Sequence, residues 1–384
     1  MNILIRLAVI VFGVTLLSAC SSDADNAMAP SPLQSYTPSV QAVTAWKTGV
    51  GNGNGGYYFR MRPAVRHGVL FVASRNGDVS AVNAKTGRTL WNENIGANIT
   101  SGVGVGGGNV YVGTDNARIV ALSAQDGHLV WHAPVTSEVW AAPEYARGIV
   151  LAHTITGNLS AFSASTGHLI WRYDEAVPSM TLHAASQPEV AGNTVVAGFS
   201  DGHLVVLNLQ TGNMLWQQQV ALPRGNNVID RMVDITVDPV VVNGVAYVAT
   251  YQGRVAAYDL DKGQLIWSHK ISSYAGITAD RHQVYVTDAD GRVWCFDEAT
   301  GAVAWRQTAL KGRQLTGPAL IGQSVAVADR YGFVHFLSRS SGKLQGRAPI
   351  SADAIAQPVA DNSQLFVLGT NGTVWSFVLR PFKA

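Results

Sequence analysis

Cysteine is nearly absent from this sequence: Cys20 and Cys295 are the only two. With Cys20 expected to be modified, no disulfide is expected within the chain, so burial and backbone pairing must hold the fold. Charge is also scarce, at 14% of residues, and the net +2 is spread without any Lys/Arg run. That excludes the basic stripe a phosphate backbone requires, and with it nucleic acid as a partner. The apolar run Leu7–Leu17 falls short of the roughly 20 residues that span a bilayer. No helical period of useful length is visible, and no catalytic constellation either. Gly-x-Ser-x-Gly is missing, the ten histidines lack ligand spacing, and Gly342-Lys343 is followed by Leu344 rather than Ser or Thr. No metal or cofactor site is expected.

What the chain has instead is repetition. "DGHLVVLNLQTGNMLW" at Asp201–Trp216 recurs as "NGDVSAVNAKTGRTLW", "NARIVALSAQDGHLVW", "TGNLSAFSASTGHLIW", "QGRVAAYDLDKGQLIW" and "DGRVWCFDEATGAVAW". Gly77 and Trp91, Ala117 and Trp131, Gly157 and Trp171, Gly202 and Trp216, Gly253 and Trp267, and Gly291 and Trp305 all stand 14 positions apart. Such constancy means a rigid hairpin. Period-2 alternation marks its strands, and the glycines at 87, 127, 167, 212, 263, 301 and 342 supply the positive φ of its turn. Two more strand-like runs precede each hairpin, and Trp-to-Trp intervals of 38 to 51 residues match a four-stranded propeller blade.

Two further copies complete the count, "YGFVHFLSRSSGKLQG", with Gly346 in the tryptophan place, and "NGTVWSFVL", which lacks its last strand. That strand stands at the other end of the chain, in "VTAWKTGV" around Trp46. The sequence therefore predicts an all-β, eight-bladed propeller of four-stranded antiparallel blades, closed by the N-terminal strand beside the strand through Val374 and Phe377. Trp46, Trp91, Trp131, Trp171, Trp216, Trp267 and Trp305 are expected to pack between neighbouring blades, with no ligand stacked on them. Cys295, between Trp294 and Phe296, is expected to be a buried, inert thiol.

The start of the chain reads as an export signal. Arg6 and the apolar run read as a signal peptide over 1–19, and "Leu17-Ser18-Ala19-Cys20" resembles the bacterial lipobox, which implies cleavage before Cys20 and acylation of that residue. One chain anchors only marginally; several hold firmly, since each buried CH₂ contributes about 0.8 kcal/mol. Residues 20–43 read as the lipidated cysteine and a flexible leash, and 44–380 as the propeller.

Two motifs look chemical. Gly102, Gly104 and Gly107 spell a dinucleotide fingerprint, but a strand follows where a helix is needed. "Asp288-Ala-Asp290-Gly291" resembles the opening of a calcium loop without its later carboxylate, and reads as a turn.

Length varies only between each tryptophan and the next repeat. Three spans are enlarged, at 31, 31 and 37 positions against 24 to 27 elsewhere. In an up-and-down blade these connections share one rim, and insertions on repeat proteins commonly mark the binding face. Two are neighbours, "RYDEAVPSMTLHAAS" (172–186) and "QQQVALPRGNNVIDRMVDITVD" (217–238). Met180 and Leu182 lie among polar residues in the first, while Asp230, Arg231 and Asp234 crowd the second, a mixture typical of a protein-binding hot spot. A competing reading has Met180 and Leu182 filling the gap between blades. The third, "GVGNGNGGYYFR", reads as easing the chain's way into the ring.

The lipobox, "TAWKTGVGNG", the hairpins ending in Trp, and "IDRMVD" followed by "DPVVVNG" resemble the BamB family of outer-membrane β-barrel assembly lipoproteins. The resemblance covers nearly all of the chain after Cys20. It implies a non-catalytic scaffold, facing the periplasm, that binds the periplasmic domains of BamA and meets other assembly subunits and unfolded outer-membrane proteins, touching the membrane by its lipid anchor only. Ser21 and Ser22 after the cysteine fit outer-membrane sorting. Carried over by motif, the resemblance puts Met180 and Leu182 at apolar contact positions, His183 where the family often has arginine, and Asp234 and Thr236 at two acidic positions. Two rival readings remain: a quinone-dependent dehydrogenase, which shares the Thr-Gly-x-x-x-Trp repeats, and a carbohydrate-binding lectin, for which Tyr57, Tyr58 and Phe59 would be the nearest aromatic cluster.

Overall fold

The computed structural model describes residues 28–361 and 363–382; the signal peptide and Cys20 lie outside them. Over the described residues the chain forms 32 strands and no helix, grouped into eight four-stranded antiparallel sheets. Seven sheets are built from consecutive strands, blade one from β2 (Ala64–Arg66) to β5 (Thr89–Asn94) and blade seven from β26 (Ala319–Ile321) to β29 (Leu344–Pro349). Blade eight takes β30 (Val359–Asp361), β31 (Gln364–Leu368) and β32 (Thr373–Pro381) from the C-terminus and β1 (Val40–Gly49) from the N-terminus. Thr44 pairs with Phe377 and Thr48 with Val374, as the repeat count requires.

Why the blades cohere is visible in blade three. Its middle strands, β11 (Ile149–His153) and β12 (Asn158–Ser163), are buried almost throughout, because each face meets a neighbouring blade. Ile149, Leu151, Leu159 and Ala161 interlock with Val195, Ala197, Val205 and Leu207 of blade four. Fully burying such a side chain contributes roughly 1.5–3 kcal/mol. No blade could bury both faces alone.

The tryptophans fasten each blade to the next. Every third-to-fourth-strand pairing slips by one residue just before the tryptophan place, which Gly346 fills in blade seven; between Ala161 and Phe162 the slip leaves Ile170 as a bulge ahead of Trp171. The indole of Trp131 then donates Nε1–H to Ala164 O at 2.8 Å across the blade boundary, and Trp171 does the same to Leu209 O at 2.8 Å. Below each ring lies the neighbour's turn glycine. Gly167 has φ +72°, and a Cβ there would stand 2.7 Å from the Trp131 ring. These glycines thus serve two needs, the left-handed turn and the space for an indole.

Seven turns carry such a glycine and seven tryptophans cover them, which explains Gly346. The tryptophan of one blade covers the last turn of the next, and blade eight has no such turn because its fourth strand arrives from the N-terminus. A Cβ at 346 would instead meet Val40 O at 2.8 Å. Trp46 reproduces the fourth-strand pattern, with its own bulge after Thr44 and its Nε1–H on Ala84 O of blade one at 2.9 Å.

The leash differs from its expected extent. Val40 already pairs with Pro381, and Met28–Ser39 lies against blade seven and the loop before it. Ser31 N–H donates to Lys311 O at 2.9 Å, Ser39 N–H donates to Gln345 O at 3.0 Å, and the Arg347 guanidinium lies 5.2 Å from the Tyr36 ring centre. A segment poor in large apolar residues can still be held by backbone bonds and a cation over one ring.

Candidate functional site

The connections between blades and the second-to-third-strand turns converge on one rim. The first enlarged loop follows β13 (Leu169–Asp174) and ends at β14 (Glu189–Ala191); the second follows β17 (Met214–Gln219) and ends at β18 (Val240–Val242). Two carboxylates of the second loop join it to the first: Asp234 Oδ1 accepts the Leu182 N–H and Asp238 Oδ1 the Gln187 N–H, both at 2.8 Å. The loops therefore act as one unit.

This corrects the expectation for Asp234 and Thr236. Both side chains are buried, at 0% and 1% exposure, rather than standing out on the loop surface. The β-like alternation of "Val233-Asp234-Ile235-Thr236-Val237" is continuous burial, with Ile235 packed where Gly198 leaves room. Burial raises the Asp234 carboxyl above its ordinary range, a cost the Leu182 amide offsets only in part. Its role is to position the loops.

Met180, His183 and Arg231 are exposed and Leu182 is half-buried. Around them stand exposed apolar residues that sequence reasoning did not single out: Val177, Leu222, Val228 and Ile229, with Leu222 61% exposed. Consecutive Val228-Ile229 after "Arg-Gly-Asn-Asn" was the available signal. Between Pro178–Met180 and Pro223, Val228 and Arg231 runs a crevice of about 220 Å³ that joins the two loops. A cluster of exposed apolar side chains with a polar surround marks an interaction surface.

The third enlarged loop does more than lead the chain into the ring. It lies across the mouth of the central channel and is tied to five other parts of the rim. Arg75 of blade one stacks on Tyr57 and Phe59, at 5.3 and 5.2 Å. Phe59 meets Trp140 edge-on at 4.8 Å, and Tyr58 takes a hydrogen bond from Arg330 at 2.9 Å. Arg60 reaches the carbonyls of Thr236 and Tyr274, before blades five and six.

Below this cap the channel carries Glu144 and Glu189. Burial is the main cause that pushes their carboxyls up, to about 7 and about 8, and for Glu189 the nearby Glu144 and Asp238 add to it. Burial drives the Cys295 thiol up to about 12, which leaves no thiolate for chemistry. Asp288 accepts bonds from the Asp290 and Arg292 amides and from Trp294 Nε1, so that carboxylate organises its turn. Among the described residues one group could hold a metal: Glu175, Asp201 and His203, with ligand atoms within 4.8 Å of one another. Spacing could not reveal it, since Glu175 follows blade three and the other two lie in blade four. There His203 Nδ1 contacts Asp201 at 2.6 Å and Tyr173 Oη donates to Glu175 at 2.6 Å.

Comparison with known proteins adds an independent line. The sequence matches the family described as Outer membrane protein assembly factor BamB over residues 75–307 and 296–379. It is 48% identical over 373 residues to the BamB of Marinobacter adhaerens, covering 96% of each chain. Against the BamB of Legionella pneumophila it is 42% identical over 349 residues, 91% of each chain. The crystal structure of BamB from Moraxella catarrhalis superposes with a TM-score of 0.81 at 27% identity, covering 88% of this chain and 100% of that one. Quinohemoprotein alcohol dehydrogenase from Comamonas testosteroni superposes with a TM-score of 0.70 at 15% identity, covering 88% of this chain and 76% of that one, a likeness of fold alone. By profile, by identity over nearly its whole length and by architecture, the chain belongs to the outer membrane protein assembly factor BamB family.

Proposed function

We infer that the protein is an outer-membrane assembly factor that works as a scaffold, anchored through acylated Cys20 and facing the periplasm. It docks on the periplasmic domains of BamA through the two stapled loops. The observation that carries the docking surface is the exposed apolar patch of Val177, Met180, Leu222, Val228 and Ile229 on loops joined by Asp234. Leu182, His183 and Arg231 flank it. The rigid ring holds the patch in one geometry, so binding orders few new side chains and loses little affinity to entropy.

The test is capture of purified BamA periplasmic domains by the soluble body of the protein. Met180→Asp with Ile229→Asp should weaken capture at least about tenfold, because truncating or charging apolar anchors at such sites costs 2 kcal/mol or more. Leu90→Asp on the outer strand of blade one should leave it unchanged. Full capture by the double variant would overturn the assignment.

A further inference from the structure

The mouth of the central channel is a pocket of about 370 Å³, roofed by the third enlarged loop and walled by the first two. Its walls are aromatic: Tyr58, Phe59, Trp140, Tyr251 and Tyr274 all face it. Three guanidinium groups line it as well. Arg62 faces Asp238 at 3.6 Å and Arg330 faces Asp353 at 3.9 Å, so both have counter-ions.

Arg60 does not. It crosses the mouth to the peptide carbonyls of Thr236, at 3.2 Å, and Tyr274, and among the described residues no carboxylate lies within 4.0 Å of it. Asp238, the acid that acts on it most, is already paired with Arg62. Two carbonyls fix the orientation of the guanidinium without neutralising it. A fixed cation, partly stripped of water and lacking a counter-ion, is costly to keep and attracts an anion that can replace its lost hydration.

The rest of the wall limits what that anion can be. Five aromatic side chains offer a poor surface to a small hydrated ion and a good one to a flat or aliphatic group. Gln187, Gln314 and Gln357 line the same wall, each bonded once, to Glu144, Arg330 and the Pro318 carbonyl, which leaves each amide further donors or acceptors for a peptide backbone.

We propose that this vestibule binds a polypeptide segment in which a carboxylate stands beside an aromatic or aliphatic side chain, with Arg60 as the counter-ion and Trp140 as part of the apolar wall. The carboxylate has two sources, a chain end or an acidic side chain. The vestibule shares Leu182 and His183 with the docking loops, but Arg60 and Trp140 lie outside the apolar patch of Val177, Met180, Leu222, Val228 and Ile229, and the test needs no partner protein.

The test titrates the full chain with N-acetyl-phenylalanine, N-acetyl-phenylalaninamide and amide-capped N-acetyl-Phe-Asp, reading tryptophan fluorescence, with Trp140→Phe identifying the reporting ring. One or both of the acids should give saturable quenching that the uncharged amide reproduces only at least about tenfold more weakly, as expected for losing a charge-assisted hydrogen bond. Whichever acid binds more tightly identifies the source. Arg60→Gln should weaken the acid about tenfold and abolish its preference over the amide, while Arg60→Lys should keep the preference. Should Arg60→Gln fail to fold, discrimination between acid and amide by the unaltered chain decides. Equal affinity for acid and amide, unchanged affinity in a folded Arg60→Gln, or no saturable quenching by either acid would overturn the proposal.

Discussion

Gly148 and Gly167 both lie in blade three with positive φ, +80° and +72°, yet they differ in one respect. A Cβ at 148 would meet nothing within 4 Å, whereas at 167 it would stand 2.7 Å from the indole of Trp131. Replacing either by alanine incurs the left-handed penalty of about 1–2 kcal/mol. Only Gly167→Ala also drives a methyl group into a packed ring, and overpacking of that kind costs about 1–3 kcal/mol more. The difference between the two variants therefore measures how tightly the tryptophan sits on its neighbour's turn, with backbone strain cancelled. Urea unfolding followed by far-UV circular dichroism should place Gly167→Ala below Gly148→Ala by that margin, provided the slopes agree. Trp131→Ala should by itself cost about 3–5 kcal/mol, since the ring is 8% exposed and its N–H bond to Ala164 is lost. In that background the two alanine substitutions should cost the same, a coupling of about 1–3 kcal/mol in the double-mutant cycle. Equal penalties at 148 and 167 in the unaltered chain, or a Gly167 penalty that survives removal of Trp131, would refute the idea that these rings clasp the blades together.

Other outcomes follow from buried charge. Glu189, raised from 4.5 to about 8, binds its proton more tightly in the folded than in the unfolded state. Its contribution to stability is therefore fully present below the unfolded value and is lost as pH rises through about 8. Thermal melts at mildly acidic and mildly alkaline pH should show a fall in Tm that Glu189→Gln reduces; parallel melts in both proteins would contradict this. Asp329, fully buried between Arg313 at 2.6 Å and His335 at 2.9 Å, leaves an unpaired buried guanidinium when replaced by alanine. Denaturant titration of Asp329→Ala should report a loss of about 3–5 kcal/mol. Proteolysis should also cut the Met28–Ser39 segment faster, because Arg313 Nη1 holds Ser31 O at 3.2 Å.

The fold was legible because the same physics is written many times over. One hairpin of alternating residues is ambiguous, but a glycine and a tryptophan at a fixed distance over successive copies leave few architectures, and the orphan strand at Trp46 named its own partner. The rim was only partly legible. Its location followed from where lengths vary, and Met180 and Arg231 are indeed exposed there. Asp234 misled because a carboxylate between apolar neighbours looks the same whether it meets solvent or a backbone amide across a loop. The channel cap was missed because "GVGNGNGG" reads as a spacer. Its informative part is Tyr57–Arg60, and Arg60 finds its carbonyls 176 and 214 residues away, a relation no local pattern encodes.

The strand that seals blade eight is synthesised before any of the strands it joins. Until Phe377 has been made, the segment around Thr44 has no mate, and the two must then find each other across nearly the whole polymer. Loop-closure entropy grows slowly with length, so the penalty for this is modest, but the waiting time is not avoided. During that interval the first blade lacks the indole of Trp46 over Gly87, and the last blade has a bare edge open to another molecule's leading strand. Assembly of this ring is thus a race between its own two termini and those of its neighbours, which a dilute compartment favours and a crowded one does not.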